Sequence, residues 1–172
     1  MSDKTSAPTD DAGKMIKLFS SDEKSFLVAR NVIAQSITIN TAIETLGMDE
    51  RDTDEAIPLP NIDANTLERV IVFLEKRFEE PVAFGPPNQR TNLSVWDKQY
   101  LDVDRTSLFQ LMLAANYLDI IGLLDITTQH VANMVEGKTT EQMRVILGLT
   151  NDFTPEEEEQ VKRENAWCEP PL

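Results

Sequence analysis

The sequence predicts an α+β fold: a small sheet at the front of the chain, helices packed with it, and a tail built from helices alone. Three observations carry this. Residues 14–28 hold two short runs that alternate apolar and polar, separated by a turn, which is the period of half-buried strands. Leu67, Val70, Ile71 and Leu74 occupy positions i, i+3, i+4 and i+7, the template of an amphipathic helix. From Ser94 onward the apolar spacing is helical and alternation does not return. Strands first and helices last make an α+β chain, not a repeating βαβ one.

Taken in order, Ile16 and Leu18 alternate with Lys17 in the first strand, Ser21–Lys24 is a turn, and Phe26 and Val28 share a face of the second strand. Together they form a hairpin. Asn31 is placed to cap a short helix containing Val32 and Ile33, and Ile39, Ile43 and Leu46 suggest another, stopped by Gly47. Residues 49–55 carry five acids and one base, the composition of a solvated loop. Ile57–Pro58–Leu59–Pro60 alternates like a strand, but its prolines cannot donate to a ladder, so it belongs at a sheet edge. Asp63 caps the clearest helix. Residues 79–93, with Pro81, Gly85, Pro86 and Pro87, read as a long mobile loop, and Ser94 with Asp97 opens a short helix carrying Trp96 and Tyr100.

Residues 108–135 read as two helices joined by a sharp turn, and they organise the rest. Asp104 caps the first, whose buried stripe is Leu108, Leu111, Met112 and Ala115. Asp119 is expected to cap the second, with Leu118 and Leu123 as a hydrophobic staple. Leu124, Val131 and Val135 lie near one face of that second helix, while Leu123, Ile126 and Met134 spread outside it. Apolarity over so much of its girth predicts burial on more than one side. Gly137 ends the pair. Thr139 and Gln142 fit a capping box for a helix that Gly148 stops, and Thr154, Pro155 and Glu157 open a last one running toward Trp167 and Cys168.

Composition narrows the function. The 172 residues suit one ordinary domain and a short appendage, and Asp plus Glu exceed Lys plus Arg by 30 to 16, a formal charge of −14. Phosphate backbones and anionic lipid repel such a chain, so neither nucleic acid nor membrane is an expected partner. The one cysteine, Cys168, forms no internal disulfide and fits a reducing compartment. Residues 1–13 are polar, lack the apolar run of a signal peptide, and read as a disordered tail. The expected setting is the cytoplasm and nucleus.

Chemistry is nearly missing from the motifs. One histidine, His130, and one cysteine do not make a zinc ligand set. The six glycines form no phosphate-cradling loop. Glu156–Glu159 read as partners of a helix dipole and not as a catalytic carboxylate pair. No catalytic residue, metal or cofactor is therefore expected. Apolar groups near the end are more informative: Phe153, Val161, Trp167 and the 145–149 cluster belong to two short helices with little chain left to cover them. Two readings are open, folding back onto Leu124 and Val131, or presenting part of that face to a partner.

Four stretches carry a resemblance: residues 111–139, LMLAANYLDIIGLLDITTQHVANMVEGKT; residues 151–169, NDFTPEEEEQVKRENAWCE; residues 94–104, SVWDKQYLDVD; and residues 57–64, IPLPNIDA. Over residues 16–169 the chain resembles the adaptor subunits of SCF-type ubiquitin ligases, the S-phase kinase-associated protein one family. The resemblance implies a BTB/POZ-type domain over residues 14–136 and an F-box-binding helical extension over 137–172, with F-box contacts drawn from about residues 112–171. It implies a non-enzymatic bridge between a cullin and F-box substrate receptors. Asn116 and Tyr117 fall on the cullin side, and Val131, Phe153, Val161, Trp167 and Cys168 on the F-box side. Several positions depart from the usual pattern: Thr140 stands where many relatives have proline, Ile121 where lysine is common, residues 143–147 read MRVIL in place of IRKTF, and the 79–93 loop is shorter and less acidic. These departures keep a second expectation open, a BTB-type interaction module or F-box chaperone working without a cullin, homodimeric when free.

Overall fold

The structure, a computed structural model, describes residues 14–47, 56–81 and 93–165. The expected N-terminal tail, the acidic 49–55 loop, most of the 79–93 loop, and Trp167 and Cys168 lie outside the described residues. The chain divides into two compact units, residues 1–132 and 133–172.

The first unit is built on a three-stranded sheet of order β2-β1-β3, with β1 Met15–Ser20, β2 Ser25–Ala29 and β3 Ala56–Leu59. β1 and β2 are the expected hairpin, in register Ile16 to Val28 and Leu18 to Phe26. β3 is an edge strand, as Pro58 requires, and lies parallel to β1 with Leu18 opposite Ile57 and Ser20 opposite Leu59. One sheet face therefore collects Ile16, Leu18, Val28, Ile57 and Leu59, all buried, and the helices cover it.

Helix ends follow local chemistry. α1 (Arg30–Ile33) starts without a side-chain cap. Asn31 sits inside it and its Oδ1 accepts from the Val32 N–H, so the expected Asn31 cap is replaced by an internal contact. α2 (Ile37–Leu46) is capped by Ser36 and closed by Gly47 in the left-handed conformation at φ 63°. α3 (Ala64–Glu79) begins at Asp63, which accepts from the Thr66 N–H, and buries Leu67, Val70, Phe73 and Leu74 against α1 and α5. The turn between β1 and β2 reinforces that start: Asp22 accepts from the Ala64 N–H at 2.7 Å and from the Ser20 hydroxyl at 2.8 Å. α4 (Val95–Tyr100) opens with the Ser94–Asp97 capping box.

α3 and α4 are locked by a buried ion pair. The Arg77 guanidinium donates to the Asp97 carboxylate, which also accepts from the Ser94 N–H and hydroxyl. Both groups are buried, and Asp97 is satisfied three ways, the condition under which a buried charge is tolerated. Trp96 stacks on Tyr100 with ring centroids 4.9 Å apart, and Arg69 lies 5.1 Å over the Tyr100 ring. Burial pushes the Tyr100 phenol up, so its hydroxyl stays a donor, to the Arg69 carbonyl.

α5 (Arg105–Tyr117) is capped by Asp104 as expected. The turn after it corrects the sequence reading. Asp119 does not cap the following helix: it sits in the left-handed region at φ 51° and closes α5. Its N–H bonds to Asn116 O and the Ile120 N–H to Ala115 O, so two free carbonyls of the last turn are satisfied. α6 (Ile121–Val135) then starts two residues later. Leu118 and Leu123 are both buried, on either side of this turn. α6 also departs from the burial its sequence predicts. Gly122, Leu123, Ile126 and Thr127 are buried, but Leu124, Val131, Met134 and Val135 are only half-buried, so burial on more than one side is not realised in the free chain.

The division between the units falls in the last turn of α6. The second unit continues through Gly137, at φ 68°, into α7 (Thr140–Leu147) and α8 (Pro155–Glu164). Both helices carry the expected capping boxes, Thr139 with Gln142 and Thr154 with Glu157, and Gly148 ends α7 at φ 69°. No described residue from 133 to 165 is buried.

Candidate protein-binding surfaces

The first surface gathers around the last turn of α5. Asn116 and Tyr117 are both exposed there, as a docking role needs. Their backbone is held from across the chain. The Thr38 hydroxyl donates to Tyr117 O at 3.0 Å, and the buried Ser36 hydroxyl donates to Leu118 O at 2.6 Å. These bonds pin the start of α2 to the end of α5 and bring Ile37 beside the turn, its N–H directed at Asp119 O. Leu113 lies one helical turn before Tyr117 and is 67% exposed, and Ile121 follows the turn at 57%. Ile37, Leu113, Tyr117 and Ile121 are thus exposed apolar groups on the segments that meet at this turn, which also exposes the polar Asn116 and Asp119. The sequence reading found Asn116, Tyr117 and Ile121 but missed Leu113 and Ile37. The signal for Leu113 was available: it is a leucine off the buried stripe of its own helix.

The second surface lies in the helical end unit. Phe153 and Val161 are brought together in the wall of a cavity of about 630 Å3, which also includes Arg144 from α7 and Glu158 and Lys162 from α8. The Arg144 guanidinium sits 5.8 Å over the Phe153 ring and 3.9 Å from the Glu158 carboxylate, joining the two helices. Lys162 approaches the same carboxylate oxygen at 3.6 Å. Val145 and Leu149 are well exposed, and Met143, Ile146 and Leu147 are half-buried. Val131 is half-buried on α6 in the first unit. The cations of this cavity were not anticipated, because nothing in their local sequence separates them from a solvated helix face.

His130 is half-buried on α6, and among the described residues no three of His, Cys, Asp and Glu are placed to hold a metal ion. No described helix is long and apolar enough to cross a membrane. What the arrangement offers is two surfaces of mixed apolar and polar character.

Comparison with known proteins decides the family. Residues 14–79 match the tetramerisation domain of the Skp1 family, and residues 121–168 match its dimerisation domain. The chain belongs to the Skp1 family. A Skp1-related protein of Caenorhabditis elegans is 47% identical over 160 residues, 90% of this chain and 91% of that protein. Two proteins of Dictyostelium discoideum, SCF ubiquitin ligase complex proteins SKP1a and SKP1b, are each 43% identical over 159 residues, 90% of this chain and 96% of theirs. The α+β architecture is thus the POZ-type fold of the Skp1 family. The first match runs from β1 to the end of α3, and the second from the start of α6 through α8. The second contains Val131, Phe153, Val161, Trp167 and Cys168, while Asn116 and Tyr117 fall between the two matched segments.

Proposed function

We propose that this chain is the adaptor subunit of an SCF-type cullin–RING ubiquitin ligase, without catalytic chemistry of its own. In this reading Asn116 and Tyr117, with their apolar neighbours, grip the cullin. Phe153, Val161, Trp167, Cys168 and the half-buried side of α6 at Val131 grip the F-box of a substrate receptor. The work done is geometric: holding both ends raises the effective concentration of substrate near the ubiquitin-carrying enzyme. No nucleic acid or membrane takes part, and the setting is cytoplasmic and nuclear.

The observation that supports this best is the end unit. Ten- and eight-residue helices are below the length at which isolated helices persist in water, and here no described residue between 133 and 165 is buried. Their capping boxes set where they start, but none of their described apolar side chains is fully buried. Two relatives that are 43% identical over 90% of this chain are named for the SCF complex, and this supports the reading that such a face serves in that assembly. The family descriptions, tetramerisation and dimerisation, favour one further state, a free chain that associates with itself until a partner displaces the copy.

The test is reconstitution. The purified chain mixed with a cullin N-terminal region and an F-box protein should give a ternary complex, and the chain should bind each partner separately. Failure to bind the cullin while F-box binding persists would replace the adaptor reading with that of an F-box chaperone.

A further inference from the structure

The 630 Å3 cavity between α7 and α8 has a charge balance opposed to that of its chain. Lys138, Arg144 and Lys162 line it against Glu141 and Glu158, an excess of one positive charge in a protein whose net charge is −14. The cations play different parts. Arg144 is the most covered, its side chain 20% exposed, and it is held between the Phe153 ring and Glu158. Lys162 shares that one carboxylate. Lys138 has no carboxylate partner among the described residues. Glu141 stays ionised: its own backbone N–H and the Thr139 hydroxyl hold its carboxyl below the usual range, with Lys162 and Arg144 helping. The excess positive charge is therefore not an effect of a neutral acid. Beside it, Phe153 and Val161 are 47% and 41% exposed, so an apolar surface and an unsatisfied positive potential share one wall.

We propose that this cavity takes a two-part group from the F-box: a bulky apolar side chain seated against Phe153 and Val161, and a carboxylate close to it that pairs with Lys138 and Lys162. This rests on the F-box reading and gives the chemistry of the partner. An apolar anchor alone would gain nothing from three lysine and arginine side chains, and a basic segment would be repelled by them. Arg144 is a positioning residue, fixing the Phe153 ring through its guanidinium. Because Lys138 and Lys162 are exposed, their contribution is expected in the association rate and in salt dependence more than in total affinity.

The experiment uses the full chain and a purified F-box segment, with binding measured at about 50 mM and about 500 mM salt, where screening lengths differ severalfold. Lys138→Glu with Lys162→Glu should weaken binding about tenfold at low salt and little at high salt. Both positions are exposed, and helical content by circular dichroism checks that α7 and α8 stay folded without the Lys162–Glu158 pair. Replacing acids of the F-box segment by lysine, one at a time, should find one position whose reversal restores the double variant. Unchanged affinity and salt slope in the double variant would overturn the carboxylate pairing while leaving the F-box reading standing. Failure of the unmodified chain to bind any F-box segment would overturn both.

Discussion

Phe153→Ala separates a docking residue from a structural one. Phe153 is 47% exposed and belongs to a unit in which no described residue is buried. A phenylalanine buries about 150–250 Å2 in full, so about 70–120 Å2 is open to a partner. At about 25 cal/mol/Å2 this is worth about 2–3 kcal/mol, or roughly 20- to 100-fold in Kd for the F-box. Loss of the stacked Arg144 contact acts in the same direction, since the guanidinium is then free to leave the wall. Folding stability should barely change, because truncation opens no cavity in a packed core. Isothermal titration of the variant with an F-box segment, beside a denaturant melt and a cullin-binding control, measures all three quantities. F-box affinity within twofold of the parent, with the melt unchanged, would refute the placement of Phe153 in the interface. A large drop in the melt would refute the reading of Phe153 as a docking residue without a structural part.

Three other outcomes are expected. Asn116→Lys combined with Tyr117→Lys should weaken cullin binding in pull-down and titration while leaving F-box binding intact; equal loss of both would mean misfolding. Asp97→Asn leaves the Arg77 guanidinium buried without its carboxylate and should cost about 3–5 kcal/mol in urea unfolding, whereas adding Arg77→Met should cost less than the sum of the single changes. Strict additivity would show that the two groups do not act as a pair. The acid limb of stability should depend on Asp22 and Asp104. The Ser20 hydroxyl and the Ala64 N–H lower the Asp22 carboxyl, and the Ser107 hydroxyl and N–H lower that of Asp104. A carboxyl lowered in the folded state stabilises above its unfolded value, and that stability is lost as pH falls through the folded value. Asp22→Asn and Asp104→Asn should therefore each reduce the loss of stability between about pH 5 and pH 2, seen in melts across that range.

The sequence by itself determined five of the eight described helix starts and the glycine stops after α2 and α7, since these depend on groups within three or four residues of each other. Asp63, Ser94, Asp104, Thr139 and Thr154 cap where they were expected to, and Gly47 and Gly148 close their helices in the left-handed conformation. It also set the hairpin and put the proline-bearing strand at an edge, because alternation and a missing donor are local properties. Asp119 shows the limit of local rules: an aspartate between two helices can cap the second or close the first, and the carbonyls of Asn116 and Ala115 decided in favour of closing. Only the tertiary structure paired β3 in parallel with β1, joined Arg77 to Asp97, and tied Ser36 to Leu118 across 82 positions. It alone placed Ile37 and Leu113 beside Tyr117, and Arg144 over Phe153. It also left one side of α6 only half-buried and no described residue of the end unit buried. Apolar spacing reports that a face seeks cover, but the cover comes from residues distant in sequence or from another chain, and only the packed fold shows which faces remain open.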